Sequence, residues 1–157
     1  VGPPKTHEST IVTLSLKNMV VGSLRDRSTF HAGYAAMHLN LYTLAPLVAP
    51  HLAVIDGFQG MEGNGPCSGD PVNLRVALAS TDFVAADTVA TMIMGHDPEE
   101  IGYLVYCKRS GLGIGDLSRV RLRGNVGLAE ATIAFRKHPN YDRERRWEIP
   151  GVERFLD

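Results

Sequence analysis

Short alternating runs of apolar and polar residues are interleaved along the chain with longer stretches of helical spacing, and turn residues separate the two kinds. IVTLSL (11–16) alternates and is β-branched, which predicts a strand ending at Lys17-Asn18. Residues 20–33 have no clean period and read as a loop. From Tyr34 to Val48 apolar residues recur at helical spacing, with Pro46 confining the helix to its earlier part or kinking it. HLAVID (51–56) reads as a short strand, buried on both faces if parallel, and NLRVALAS (73–80) as another. Asp82 is placed to cap a helix over 83–94 that Gly95 closes. Asp97-Pro98 opens a further helix running to about Arg109, with Glu99 and Glu100 in its first turn and Gly111 beyond its end. VRLRGN (120–125) reads as a strand and 128–138 as a last helix. This alternation predicts an α/β fold: a mixed, mainly parallel sheet with flanking helices. The predicted domain spans 1–140, and 141–157 reads as a solvated C-terminal tail.

One stretch breaks the pattern. DGFQGMEGNGPCSGD (56–70) holds five glycines and three acids, and it leaves the predicted strand at Asp56. A Gly-rich segment leaving a buried strand is a common way to build a site. Ligands in open α/β sheets bind outside the carboxyl ends of strands, and several polar groups fall at such ends here. Lys5, Thr6 and His7 precede the first strand, and Lys17 and Asn18 end it. Asp56, Glu62, Asn64 and Asp70 follow the second.

Composition narrows the functions open to such a site. A length of 157 residues fits one domain able to bury a core without staples. The net charge of −1 argues against nucleic acid as a partner. Cys67 and Cys107 are too few for a disulfide framework or zinc ribbon, and reduced thiols fit a cytoplasmic protein. No apolar run approaches the roughly 20 residues needed to span a bilayer, and VGPPKTHE is not a signal peptide. The chain also opens without Met, as expected of a processed chain or a piece of a longer one.

Each candidate carries a bland reading beside its functional one. Lys17 is either a surface lysine at a strand end or an anion hook, with Lys5 and Asn18 as companions. Asp56 is either the acceptor of an Asx turn, which Asp-Gly favours, or a base. Glu62 has no turn role, because Gly63 and Gly65 already supply the permissive backbone, so it is a candidate base or metal ligand. Gly63, Asn64, Gly65 and Asp70 could line an anion-binding nest of backbone N–H groups. His7 could act as general acid–base. The six histidines show no HxxxH or HExxH pairing, so a divalent metal is admitted only on a mixed site of His7, His31 and loop carboxylates. Cys67 has no cation or helix N-terminus near it in sequence to favour a thiolate. Asp87, within the apolar AADTVA, needs a partner if it is buried: a backbone amide or Lys17.

KTH (5–7), TLSLKN (13–18), DGFQGMEGNGP (56–66), SGDPV (68–72), STDFVAADTVA (80–90) and MGHDPEEIGYL (94–104) follow in this order. Together they resemble the bacterial and archaeal family catalogued as domain of unknown function 362, over about residues 3–125. Some members of that family carry a ferredoxin-type segment and are labelled iron–sulfur proteins. This chain has no CxxCxxC run, so no iron–sulfur cluster is expected on it. The resemblance also implies an opening βα segment that is missing here, and hence a homo-oligomer or an N-terminal portion supplied from elsewhere. The leading expectation is an enzyme or ligand-binding domain for a small anionic molecule at the Gly-rich crevice, with Lys17, Asp56 and Glu62 converging there. The alternatives are an accessory module of an iron–sulfur or redox system, or a structural subunit that uses the loop as an assembly contact.

Overall fold

A computed structural model describes residues 2–156. Among these residues six strands form two separate sheets. The larger contains β1 (Lys5–His7), β2 (Ile11–Thr13), β4 (Gly60–Glu62) and β5 (Asp70–Val72), in the order β2-β1-β4-β5. The smaller pairs β3 (Ala53–Gly57) with β6 (Val76–Ser80). Among the described residues only the β1–β4 pair is parallel; β1–β2, β4–β5 and β3–β6 are antiparallel. The sheets are therefore mixed, and the expectation of a mainly parallel arrangement is corrected. The connections explain why: β1–β2 and β4–β5 are joined by loops of a few residues, and a parallel pair needs a crossover of a dozen or more.

Two helices match the periodic pattern closely. α2 (Tyr34–Val48) carries Pro46 inside its last turn, and α3 (Phe83–Ile93) starts at Asp82, whose side chain accepts from the Ala85 N–H at 2.9 Å. Gly95, at φ +73°, ends that region as the C′ position requires. Asp97 caps only a 3-10 turn, Pro98–Glu100, and the next α-helix, α4, spans Gly102–Arg109. Gly111 follows it at φ +75°.

Three elements depart from the pattern. Residues 15–23 form helix α1 (Ser15–Ser23), so the predicted strand stops at Thr13. Residues 120–125 join no ladder. The last predicted helix shortens to α5 (Leu128–Ala131), because the chain beyond it runs extended across other elements. There Ile133 and Phe135 donate to the carbonyls of Ile93 and Met94.

The core lies between α1, α2, α3 and α4, with Met37, Leu41, Val84, Met94, Tyr103 and Tyr106 almost wholly buried. Residues beyond 140, read from sequence as a solvated tail, carry side chains that complete this core. A short helix, α6 (Tyr141–Glu144), buries both its end residues, and Trp147 packs edge-on against Tyr106. The Trp147 indole N–H donates to the Glu100 carbonyl at 2.7 Å. A Cβ on Gly102 would fall 2.5 Å from that indole, so the glycine makes room for the ring. Among the described residues, no helix is long and apolar enough to cross a membrane.

Candidate functional site

The local structure around β1 starts with a borrowed cap. Nothing in its own sequence caps α1: its N-cap is Leu14, with no side-chain hydrogen bond. Asp87, fully buried in α3, fills that role from across the core. Its Oδ1 accepts from the Ser15 N–H (2.9 Å) and the Ser15 hydroxyl (2.5 Å), and its Oδ2 from the Leu16 N–H (3.1 Å). The Tyr103 hydroxyl adds a longer bond at 3.3 Å. Burial still pushes the Asp87 carboxyl up to about 6, against the pull of these donors. Of the two partners open to Asp87 in the sequence, the backbone amide is the one observed.

That cap fixes Lys17 in the first turn of α1. The side chain is 5% exposed. No carboxylate lies within ion-pair distance of it among the described residues. Burial lowers its ammonium to about 8, and nearby Lys5 pushes the same way; Glu8 and Cys67 oppose them. The positive end of the helix dipole is a further cost, since cations are disfavoured in a first turn. A buried charge with burial, a second lysine and the helix dipole against it, and no ion-pair partner among the described residues, is a candidate for a group kept for function.

His7 shares this neighbourhood. It is 3% exposed, and burial followed by Lys17, His31, His138 and Lys5 lowers its imidazolium to about 2. The Ser9 N–H donates to its Nδ1 at 3.0 Å, so the neutral ring carries its proton on Nε2. His138 is fixed in the same way by the Asn140 N–H (3.0 Å). Behind it, Glu144 Oε1 lies 3.2 Å from His138 Nδ1. Nδ1 already accepts from Asn140, so this contact is favourable when the carboxyl holds a proton. Burial pushes Glu144 up to about 8, consistent with that protonated form at neutral pH.

The acids of the Gly-rich stretch have other partners. Arg136 donates its backbone N–H to Glu62 Oε2 at 2.8 Å, approaches Glu62 Oε1 at 3.8 Å with its guanidinium, and pairs with Asp70. Its carbonyl accepts from the Gly63 N–H at 2.8 Å, and the Gly65 N–H donates to the Gly63 carbonyl at 2.9 Å. Those two amides, expected to line an anion nest, are therefore consumed inside the fold. The glycines serve close packing instead. A Cβ on Gly65 would sit 2.2 Å from the Thr6 carbonyl oxygen, and the Thr6 hydroxyl donates to the Gly63 carbonyl at 2.9 Å. Asp56 is exposed and accepts from the Phe58 N–H at 3.0 Å, the Asx-turn geometry. Asn64 is exposed, and Asn18 follows Lys17 half-buried on α1.

The structure thus groups Lys5, His7 and Lys17, adds His138 and the exposed Cys67, and leaves Asp56, Glu62 and Asp70 with partners of their own. Sequence reasoning missed Arg136, His138 and Glu144, all in a region it read as helix and tail. It also saw no cation for Cys67, because Lys17 approaches only through the fold. Cys107 is buried, and burial raises its thiol further from ionisation. Among the described residues, no group of three or more His, Cys, Asp or Glu is placed to hold a metal ion.

Comparison with known proteins adds two findings. The chain is 31% identical over 153 residues to the thylakoid-associated protein sll1697 of Synechocystis sp., covering 94% of this chain and 44% of that protein. It thus spans less than half the length of this relative. No solved structure matches it. Residues 1–92, which include Lys5, His7, Lys17 and Asp87, match the family described as domain of unknown function DUF362, and the chain belongs to that family.

Proposed function

We propose that this domain binds a small anionic molecule at the cluster of Lys5, His7 and Lys17, and that Lys17 is the anchoring charge. The observation that carries this reading is the burial of Lys17 without a counter-ion. An anion would supply the missing charge, raise the affinity of Lys17 for its proton, and offset the cost of its burial. His7 contributes as a neutral Nε2–H donor rather than as an imidazolium, because its surroundings hold it deprotonated at neutral pH. Lys5 adds a second, more exposed cation. Carboxylates and phosphates fit this donor set, since both accept several charge-assisted hydrogen bonds at once. Whether chemistry follows binding turns on Lys17: with its ammonium lowered to about 8, a fraction is free amine near neutral pH and competent as base or nucleophile.

Cys67 offers a direct test, because it is exposed and within electrostatic reach of Lys17, while Cys107 is buried. Maleimide labelling of Cys67 is measured with and without inorganic phosphate or oxalate. Protection that saturates with anion in the wild type and disappears in Lys17→Met is the expected result. Equal protection in both proteins, or none in either, overturns the reading.

A further inference from the structure

β6 is paired on one side only. Its ladder partner is β3, and among the described residues no other backbone hydrogen bond reaches Val76–Ser80. In an antiparallel pair, alternate residues face the partner with their N–H and C=O groups, so the others point outward from this edge. Two adjoining clefts of about 170 and 150 Å³ share Leu78, Val89, Leu122 and Arg123, and together they follow β6 along its whole length. Their lining includes Val76, Ala77, Leu78, Ala79 and Ser80 in unbroken succession. A cleft on the face of a sheet is lined by every second residue of a strand; one lined by consecutive residues runs along the edge.

The opposite wall is the segment 120–128; its first part, 120–125, reads as a strand from sequence, and the structure leaves it out of every ladder. α3 contributes an apolar floor through Val89 and Ile93. Leu122 and Val126 on the wall stay 46% and 44% exposed, so the groove offers apolar contacts that nothing among the described residues covers. Three arginines border it: Arg75 at one end, Arg121 and Arg123 on the wall. None is paired with a carboxylate among the described residues.

We propose that this groove takes an acidic, extended segment of another protein, which adds to β6 as a third strand. Strand addition supplies affinity through main-chain bonds and selectivity through alternate side chains. Here one set of side chains would meet Val89, Ile93 and Leu122, and the other would carry carboxylates toward the arginines. The charge also decides against a second copy of this chain in the groove. Two β6 edges paired about a two-fold axis would bring six arginines together.

The test uses the full chain and a capped, fluorescent heptapeptide that alternates valine and glutamate. The expected result is saturable binding, accompanied by slowed hydrogen exchange at the outward amides within Val76–Ser80. N-methylation of alternate peptide residues removes the main-chain bonds without touching the protein, and weakens binding about tenfold or more. The double variant Arg121→Glu, Arg123→Glu weakens it by a similar factor, since like charges then face each other. Both substitutions lie in exposed, ladder-free chain, and thermal unfolding verifies that the variant folds. Undiminished binding by the methylated peptide, or unchanged exchange at Val76–Ser80, overturns the proposal in favour of a plain anion patch. Self-association of the peptide-free chain with protection at those same amides overturns it in favour of a second copy.

Discussion

Two charged clusters flank β1 and β4, and they are built on opposite rules. Glu62 and Asp70, both in the Gly-rich stretch, share Arg136, with the guanidinium and Asp70 more than half exposed. Lys17, on α1, is 5% exposed, near a second lysine and a neutral histidine, with no carboxylate in ion-pair distance among the described residues. The first cluster is complete: each charge has an opposite partner, amides are used, and the glycines accommodate neighbouring backbone. Such exposed pairs contribute about 0–1 kcal/mol each, and this one pins a loop to the extended chain at 133–136. The second cluster is incomplete, and its fold bears a cost that no ion pair among the described residues recovers. An acid-rich loop draws the eye in a sequence, yet the unbalanced charge is the better indicator of a binding site.

The sharpest way to break this contrast is to remove what holds the incomplete cluster in place. Asp87→Ala leaves the Ser15 and Leu16 amides and two hydroxyls without their acceptor. The expected loss is about 3–4 kcal/mol in urea unfolding, with anion protection of Cys67 lost as α1 frays. A variant within about 1 kcal/mol of wild type would mean that α1 does not depend on its borrowed cap.

Lys17→Met should act in the other direction. The ammonium is lowered from 10.5 to about 8 on folding, so between those values the unfolded chain binds more protons than the folded one. Wild-type stability therefore rises as pH climbs from about 8 to 10.5, and the cost is fully present below 8. At pH 7 that cost is about 3 kcal/mol, so Lys17→Met gains up to about that amount while losing the anion. Its advantage should shrink as pH approaches 10.5. Unfolding curves of the two proteins across that range decide it: a pH-independent difference, or a destabilised variant, would place a hidden partner beside Lys17.

Arg136→Ala carries the smallest expected effect. It should cost about 1 kcal/mol or less, shrink further at high salt, and leave phosphate protection of Cys67 within about twofold of wild type. A large loss of anion binding in this variant would join the two clusters into one site and erase the distinction.

The sequence revealed structure wherever its cause was local. Asp82, Asp97-Pro98, Gly95 and Gly111 are short-range punctuation, and α2, α3 and β3 carry periodicity over enough residues to be read. α1 was missed because its cap is 72 residues distant from Ser15, and TLSLKN without that cap alternates like a strand. The end of α5 was misplaced because residues 132–137 are recruited by the carbonyls of Ile93 and Met94 and by Gly63. Strand direction was misjudged because alternating helices and strands suggested crossovers where short loops close hairpins. Lys5, His7 and Lys17 were nominated for their types and positions, whereas Glu62 looked spare only because Arg136, its partner, lies 74 residues on.

Trp147 and Glu144 have a consequence for the order in which the molecule is made. The ring that covers Gly102 and the carboxyl behind His138 emerge from the ribosome well over a hundred residues after His7 and Lys17. At about 5–20 residues per second, that interval is on the order of 10 s. Throughout it, β1 and α1 exist without the C-terminal elements that enclose them. Nascent chains halted before and after Trp147 should consequently differ sharply in how readily a protease cuts between Lys5 and Ser23.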